Sequence, residues 1–389
     1  MKRCCFLVLL AFAAGGLFAA DWSGVLDSSV NYMMGAGDAA DHSFGFEQYT
    51  NLRLRVRTRE KATFNAAFNL IAMAGAYALP AVTSGFAISG ENYAAVIELE
   101  RLYFRVNGDH IDTEAGLLRM NFGYGQVWGS SDFLNPRNPL FPNARPRGVL
   151  GVNAALYPSD TLQIRAFVAT PKNPMDFDGS GIIPGFILDR HWSRASLQAL
   201  YAYETKGFAE TVPAGTDQGF HRYGLSLKAD LELGFVLDAL YIFYPDNVDI
   251  DRLSLGAGFD YSFLEGNLYV LAEYLYNGAS SVSALGFGGS WINQHYLYGT
   301  ILYRFNDYFS MSLSTLFCFD DLSFQPILNV DYELFQGLSL NITARLPLDQ
   351  KTLNDGKTGE LGPIPPLPGG AEGMAGAKFI ITGGVKLRF

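Results

Sequence analysis

Four arginines recur at every second position in one short stretch. They are Arg53, Arg55, Arg57 and Arg59. On an extended strand their side chains share one face at a spacing of about 7 Å. If this strand spans a membrane, placing each arginine against lipid would cost roughly 2–4 kcal/mol near the bilayer centre. The four arginines, which we name the arginine ladder, would then have to face water. Two interpretations stay open: an inner-wall ion network with Glu98, Glu100 and Glu114, or an electrostatic filter for solutes.

Two further groups of charges follow the same alternation. Lys386 and Arg388 lie in the last stretch of the chain, which would come close to the arginine ladder if the first and last strands pair. Six carboxylates of later stretches would then lie roughly across the interior: Asp230, Asp238, Asp260, Glu273, Asp331 and Glu333. A basic wall facing an acidic wall would create a transverse field that orients polar solutes.

A 28-residue segment at positions 121–148 contains four prolines, which stiffen it. We predict that it folds into the interior and narrows it, with an external loop as the alternative. Its candidate residues are Trp128, Asp132, Asn135, Pro136, Arg137, Arg145 and Arg147.

No constellation for catalysis or metal binding is evident. The five histidines are scattered and lack zinc spacing, and no nucleophile elbow, phosphate loop or redox cysteine pair occurs. The stretch "DFDGSG" at 176–181 begins like a calcium loop, but Ile187 stands where a bidentate glutamate is needed. We therefore expect neither an enzyme nor a bound metal or cofactor.

The elements that carry these residues show a period of two. Stretches such as "RYGLSLKADL" and "GLSLNITARL", and the final "KFIITGGVKLRF", alternate apolar with polar residues. This pattern predicts strands whose two faces meet different media. About seventeen such strands are clear in the sequence. Short and long connections alternate along the chain, and the break in this alternation suggests one further weak strand near "GFILDRH". The sequence therefore predicts eighteen strands, with sixteen as the alternative.

Composition indicates which medium the apolar face meets. Charged residues make up 17% of the 389 residues, aromatic residues 14%, and glycine is frequent. Apolar faces on nearly every strand cannot all fill the inside of so large a ring, so they must face lipid. We predict an all-β, transmembrane, antiparallel up-and-down β-barrel, with a soluble sandwich as the alternative. The net charge of −10 argues against a nucleic-acid partner.

The first twenty residues have the order of a secretory signal: Lys2 and Arg3, an apolar run, then Ala19 and Ala20. A membrane anchor is the alternative, although the run is short for a bilayer span. We predict one domain over residues 21–389, with a long external loop at 347–376 that holds five prolines and seven glycines. Removal of the leader would leave Cys318 as the single cysteine, which excludes an intrachain disulfide.

Two stretches carry a resemblance to a known family. The final "TGGVKLRF" looks like an outer-membrane assembly signal, and "FGYGQVWGSSDFLNP" is similar to a W-G-x-x-D-x-x-N-P stretch of large porin-like families. The chain thus resembles bacterial outer-membrane β-barrel proteins of the porin kind. The resemblance implies outer-membrane lipid and the barrel-assembly machinery as partners. The signal residues would be Thr382, Gly384, Leu387 and Phe389.

The function that we expect is passive diffusion of small polar or charged solutes through an outer-membrane channel. A transporter of hydrophobic or lipid-like substrates is an alternative, suggested by the apolar segment 77–92. A structural or adhesive surface barrel with a plugged interior is another. The sequence leaves open the solute and whether the protein is a homo-oligomer.

Overall fold

The computed structural model describes residues 19–34, 42–57, 61–75, 86–90, 92–135, 148–170, 181–205, 219–245, 252–278, 293–348 and 379–389. The strands are β1 (Ala19–Met34), β2 (His42–Arg57), β3 (Ala62–Gly75), β4 (Phe86–Ser89), β5 (Tyr93–Asn107), β6 (Ile111–Leu118), β7 (Val149–Ser159), β8 (Leu162–Ala169), β9 (Ile183–His191), β10 (Ala195–Glu204), β11 (Phe220–Asp230), β12 (Gly234–Phe243), β13 (Arg252–Phe263), β14 (Leu268–Asn277), β15 (His295–Arg304), β16 (Phe309–Cys318), β17 (Phe324–Phe335), β18 (Leu338–Arg345) and β19 (Phe379–Arg388). One 3₁₀ turn, Leu264–Gly266, joins β13 to β14.

Eighteen of these strands close into an antiparallel ring. Apart from β4, each strand pairs with its neighbours in chain order, and β19 pairs with β1 to complete the ring. The prediction of eighteen strands is confirmed and the alternative of sixteen is wrong. The weak strand expected near "GFILDRH" is β9, which pairs with both β8 and β10.

The short strand β4 was not predicted, and it occupies an edge that β6 leaves open. The strand β6 pairs with β5 only over Leu102–Asn107, because the chain turns inward after Leu118. Further along the same edge of β5, β4 pairs with residues 94–97. Part of the apolar segment 77–92 therefore covers an edge of the sheet; residues 76–85 and 91 lie outside the described residues.

The two faces of the sheet separate by polarity, as the alternation predicts. Directly paired residues share a face, so the register follows each face around the ring. One face carries the arginines of β2 and the carboxylates of β12 to β14, and the segment after β6 contacts it, which makes it the inner face. Large apolar side chains cover the outer face and are exposed, among them Trp22, Leu225, Leu237, Ile301, Leu313 and Ile342.

The connections differ between the two ends of the barrel. At one end, the short-turn end, two to four residues join consecutive strands, as at 231–233 and 336–337. At the other, the long-loop end, the connections run from five residues upwards. No helix among the residues described here is long and apolar enough to cross a bilayer.

Candidate pore constriction

The segment 119–135, which we name the inner loop, leaves β6 and runs along the inner faces of β10 to β14. The Gly123 N–H donates to Gln198 Oε1 on β10 (2.6 Å). The Tyr124 N–H donates to Ser226 Oγ on β11 (2.9 Å). The inner loop therefore lies inside the ring, and it contains the first part of the 121–148 segment, which we expect from the sequence to fold into the interior. Residues 136–147, which include Pro136, Arg137, Arg145 and Arg147, lie outside the described residues.

Glu273 on β14 is the principal anchor of the inner loop. Its carboxylate accepts three consecutive backbone N–H groups, from Gln126 (2.9 Å), Val127 (3.0 Å) and Trp128 (2.9 Å). The Trp128 indole N–H also donates to the Glu273 carbonyl oxygen (3.3 Å). Hydrogen bonds to a charged group contribute about 1.5–3 kcal/mol each. The side chain of Glu273 is only 2% exposed, so it holds the loop and does not border the open interior.

Asp238 on β12, two strands from β14, is a second anchor of the inner loop. Its carboxylate accepts the Ser131 hydroxyl (2.6 Å) and the Ser131 N–H (3.2 Å). The close approach depends on Gly123, whose φ is +74° and whose added Cβ would lie 2.2 Å from Ser131 Oγ. Glycine alone adopts this conformation without strain and leaves the space empty.

The W-G-x-x-D-x-x-N stretch closes the turn of the inner loop. The Asp132 N–H donates to the Gly129 carbonyl oxygen (2.8 Å), and the Asn135 N–H donates to Asp132 Oδ1 (3.2 Å). The Asn135 side-chain amide donates to the Met120 carbonyl oxygen, tying the end of the loop to its beginning. The predicted residues Trp128, Asp132 and Asn135 are all buried, so these side chains hold the loop in its fold.

Two apolar clusters fix the inner loop against the wall. Trp128 packs in one cluster with Leu275, Tyr296, Leu316 and Cys318, and its ring lies 5.7 Å from that of Tyr296. Cys318 also faces inward in this cluster. Burial of a side chain as large as tryptophan contributes several kcal/mol, roughly 3–5 by truncation to alanine.

The second cluster combines aromatic rings with a buried charge. Phe122 and Phe133 of the inner loop contact each other and Phe167 on β8. The Arg222 guanidinium on β11 lies 4.4 Å from the ring centre of Phe133, and its Nη1 lies 2.5 Å from Glu204 Oε2. A desolvated cation over an aromatic face is attracted to the ring.

A polar group fastens the start of the inner loop. The Arg165 guanidinium on β8 pairs with Asp189 on β9 (2.9 Å), which also accepts the Gln198 amide (2.6 Å). Gln198 in turn accepts the Gly123 N–H, so loop and wall share one network. Burial, together with the negative charge of Asp189, raises the pKa of Tyr124 to about 12, which keeps this phenol neutral.

The arginine ladder lies on the inner face, half-way round the ring from β12. Arg53, Arg55 and Arg57 are exposed there, while Arg59 lies outside the described residues. Arg57 approaches Asp21 at 3.6 Å. Within the part of the chain that the structure describes, Arg53 and Arg55 have no carboxylate within ion-pair distance. Two of the three described ladder arginines therefore have no ion pair within the described ranges.

A buried network fixes the ladder to the neighbouring strands. The Asn51 amide on β2 donates to Glu100 Oε2 and to Asn69 Oδ1, both at 2.7 Å. The Arg53 Nε–H donates to Asn51 Oδ1 (2.6 Å), which links the ladder to Glu100. Glu100 lies at a bulge of β5 and is 6% exposed, so it serves this network and does not line the interior. Glu98 lies nearby on the inner face, paired with Asn69.

Some predicted counter-charges lie elsewhere. Glu114 does not reach the ladder, because it lies 3.5 Å from Arg105 on the adjacent strand. Asp331 and Glu333 were expected across the interior, but β17 is only two places from β19 and four from β2, so both lie on the basic side. Lys386 pairs with Asp27 (3.3 Å), and Arg388 is exposed without an ion pair among the described residues.

The acids on the opposite side hold the loop. Asp260 on β13 lies eight strands from β2, and its carboxylate accepts the Gln126 amide (2.8 Å). Gln126 also accepts the Tyr269 hydroxyl (3.0 Å). With Asp238 and Glu273 engaged as well, the expected acidic wall is largely covered by the inner loop. The predicted transverse field therefore lacks much of its exposed negative side.

The residues of the predicted assembly signal lie at the closure of the ring. Thr382 faces inward and its hydroxyl contacts Asn31 on β1, while Gly384 sits opposite Ser29. Leu387 lies on the outer face, and Phe389 exchanges two backbone hydrogen bonds with Gly24. The packing needs Gly24, because an added Cβ there would lie 2.5 Å from the Phe389 ring.

Several contacts of the inner loop could not be predicted from the sequence. Gln198 and Ser226 were not predicted as site residues, and Asp238 was expected to face solute. The available signal was a polar residue on the inner face of a strand that is otherwise apolar on both sides, as in "FVLDALYIF" of β12. That signal indicates an inward partner without naming it.

Solved structures share this fold at low sequence identity. OccAB4 of Acinetobacter baumannii has a TM-score of 0.59 at 11% identity, covering 95% of this chain and 98% of that chain. OccK8 (OprE) of Pseudomonas aeruginosa has a TM-score of 0.58 at 10% identity, with coverages of 95% and 98%. OccAB1 of A. baumannii has 0.56 at 9%, with 95% and 96%.

Comparisons with protein-family models and with curated proteins gave no match. The structural neighbours are bacterial outer-membrane porins, and their agreement extends over nearly the whole of both chains. The chain therefore has the closed β-barrel fold of bacterial outer-membrane porins.

Proposed function

We propose that this protein is an outer-membrane channel through which small polar or charged solutes diffuse passively. The observation that supports it best is the inner loop, held against β10 to β14 by carboxylates on three of these strands, with the arginine ladder on the opposite wall. This arrangement leaves solutes a path between a fixed loop and a basic surface. The exposed apolar outer face is the surface that a bilayer would cover.

The charges of the path favour anions. Arg53, Arg55 and Arg388 are exposed and lack ion pairs among the described residues, whereas Asp238 and Glu273 are buried beneath the loop. On the basic side the exposed Asp331 offsets part of the charge of Arg388. A local excess of exposed positive charge raises the concentration of anions in a confined aqueous path. The filter interpretation of the ladder is supported by the absence of ion pairs to Arg53 and Arg55 among the described residues, and the network interpretation by the bond from Arg53 to Asn51.

The remaining sequence-based expectations belong to the same proposal. Residues 1–20 direct export, and the barrel-assembly machinery recognises the last strand and inserts the barrel into the outer membrane. By the usual arrangement of such barrels, the short-turn end faces the periplasm and the long-loop end faces outward. We leave the oligomeric state open.

Reversal potentials in a salt gradient across a planar bilayer test the proposed filter. We expect the wild type to prefer anions and Arg53→Glu/Arg55→Glu to shift the reversal potential toward cations. Arg190→Glu is the control, because Arg190 lies on the outer face beside Trp192 and should leave selectivity unchanged. Equal reversal potentials for the wild type and the double variant would refute the filter.

A further inference from the structure

Three histidines on the outer face repeat one local geometry. The Tyr32 hydroxyl lies 2.5 Å from His42 Nδ1, that of Tyr201 lies 2.9 Å from His221 Nδ1, and that of Tyr274 lies 2.6 Å from His295 Nδ1. In each pair the tyrosine is among the last four residues of one strand and the histidine among the first two of the next, across a connection at the long-loop end. In each pair the histidine is also two residues before the residue directly opposite the tyrosine.

The three pairs lie at the edge of the apolar band. Outer-face aromatic residues surround them, including Phe44 beside Tyr32 and Tyr223 beside His221. Aromatic belts of this kind mark the level at which a bilayer changes from hydrocarbon to headgroups. The described His110 and His191 lie at the short-turn end instead, so the grouping is specific to one membrane surface.

The tyrosine contact orients each ring, and with the phenol as the donor to Nδ1 it leaves the Nε2–H as the donor on that ring. Because the hydroxyl engages Nδ1, Nε2 is the nitrogen that stays free, and within the described residues none of the three Nε2 atoms has a hydrogen-bond partner. A neutral imidazole whose Nδ1 accepts a hydrogen bond carries its proton on Nε2. On protonation Nε2 remains a donor and the ring becomes cationic, so in both states it suits an anionic oxygen.

We propose that the three Tyr–His pairs bind the anionic phosphate of lipid headgroups in the outer leaflet, and that the contact strengthens on acidification. The proposal rests on the proposed membrane placement and not on channel activity. Phosphate is the anion present at headgroup level, and the fixed Nε2–H donors face it.

The charged and titratable groups around the histidines differ among the sites. Among the residues that the structure describes, the titratable neighbour of His42 is Tyr32, and those of His221 are Tyr201, Tyr203 and Tyr223. At His295, Tyr274 and Tyr276 are joined by Asp320, whose carboxylate accepts the Gln294 and His295 backbone N–H groups. Asp320 repels phosphate, so we expect the His295 site to bind lipid more weakly than the other two.

Binding of a fluorescent phosphatidylglycerol to the purified protein in neutral detergent, followed by anisotropy, tests the proposal. This headgroup carries one negative charge at both test values, about pH 6 and about pH 8. A change in affinity between them therefore arises from the protein and not from the lipid. We expect tighter binding at the lower pH by roughly fivefold for each protonated histidine, and little change with a matched phosphatidylcholine.

Variants assign the effect. His42→Gln/His221→Gln/His295→Gln should lose the pH dependence, while His110→Gln/His191→Gln should keep it. Tyr32→Phe/Tyr201→Phe/Tyr274→Phe keeps all three imidazoles but frees the rings, so it should bind less tightly at both pH values. A pH-independent wild type, a triple histidine variant that keeps the dependence, or a tyrosine variant with unchanged binding would overturn the proposal. Conductance of the triple histidine variant should equal that of the wild type, which separates this outcome from the channel proposal.

Discussion

Individual residues hold the inner loop against the barrel wall, and Glu273 is the principal one. Its carboxylate accepts three backbone N–H groups and lies beneath the loop. Glu273→Gln introduces an amide NH₂ beside donors, so at least one loop N–H loses its acceptor. An unsatisfied buried donor costs about 1–3 kcal/mol. We therefore expect the inner loop to detach part of the time.

Thiol labelling measures that detachment. Ser130 is buried, so Ser130→Cys should react slowly in the wild-type background and many-fold faster when Glu273→Gln is added. Glu333→Gln is the matched control, because Glu333 is an inner-face acid on β17 that accepts the Gly337 N–H (3.4 Å) at the 336–337 turn, away from the inner loop. Equal labelling rates in the Glu273→Gln and Glu333→Gln backgrounds would show that Glu273 is not an anchor.

Gly123 tests the close approach of the inner loop to Asp238. An alanine there combines a φ of +74° with a Cβ 2.2 Å from Ser131 Oγ. Gly266→Ala offers a clean comparison, since Gly266 has a φ of +91° but no atom within 4 Å of the added Cβ. We expect faster labelling of Ser130→Cys with Gly123→Ala and no change with Gly266→Ala. Identical rates would indicate that the space beside Asp238 is not limiting.

At the level of elements, the network around Asn51 joins β2 to β3 and β5. Asn51→Leu removes the three side-chain hydrogen bonds of Asn51, with Asn69, Glu100 and Arg53, and leaves Glu100 buried without this donor. We expect a loss of roughly 1–3 kcal/mol, seen as a lower temperature of conversion from the folded to the unfolded gel band. Asn65→Leu is the control, because Asn65 lies on the inner face of β3 with no side-chain hydrogen bond among the described residues. Equal conversion temperatures for Asn51→Leu and the wild type would show that this network does not contribute to stability.

The elements also show where sequence-based prediction succeeds and where it ends. Strand β9 could be predicted, because the period of two and the parity of connections can be read from short stretches of sequence. The pairing of β19 with β1 could be predicted because closure of a large sheet removes its free edges. The strand β4 could not, because its edge exists only where β6 leaves β5. The inward direction of Arg53 followed from lipid energetics, whereas the position of Asp331 required counting strands around the ring.

The candidate site could be predicted in part, because some of its features are local in the sequence and others are contacts between distant segments. Proline content and the W-G-x-x-D-x-x-N-P stretch indicated an inserted loop, and the alternation gave the inward face of Glu273. The contact between them spans 145 residues of chain and depends on how far the loop reaches. An inward carboxylate looks the same in sequence whether it meets water or a backbone N–H.

For the whole molecule, the apolar outer face and the polar inner face are meaningful only if the ring is closed and spans a bilayer. Such a barrel should keep its fold in mild detergent at room temperature and change its gel mobility on boiling. Large exposed side chains such as Trp22 and Ile342 should make it aggregate when detergent is removed. A monodisperse sample in plain buffer would contradict the membrane-spanning arrangement.

Single-channel recording tests the central claim that the inner loop narrows an open barrel. The wild type should show stable ohmic steps in planar bilayers. Asp238→Asn/Glu273→Gln, which weakens both anchors, should show larger or noisier steps, and Glu333→Gln should match the wild type. A silent wild type, or equal step sizes in the wild type and the anchor variant, would contradict the account.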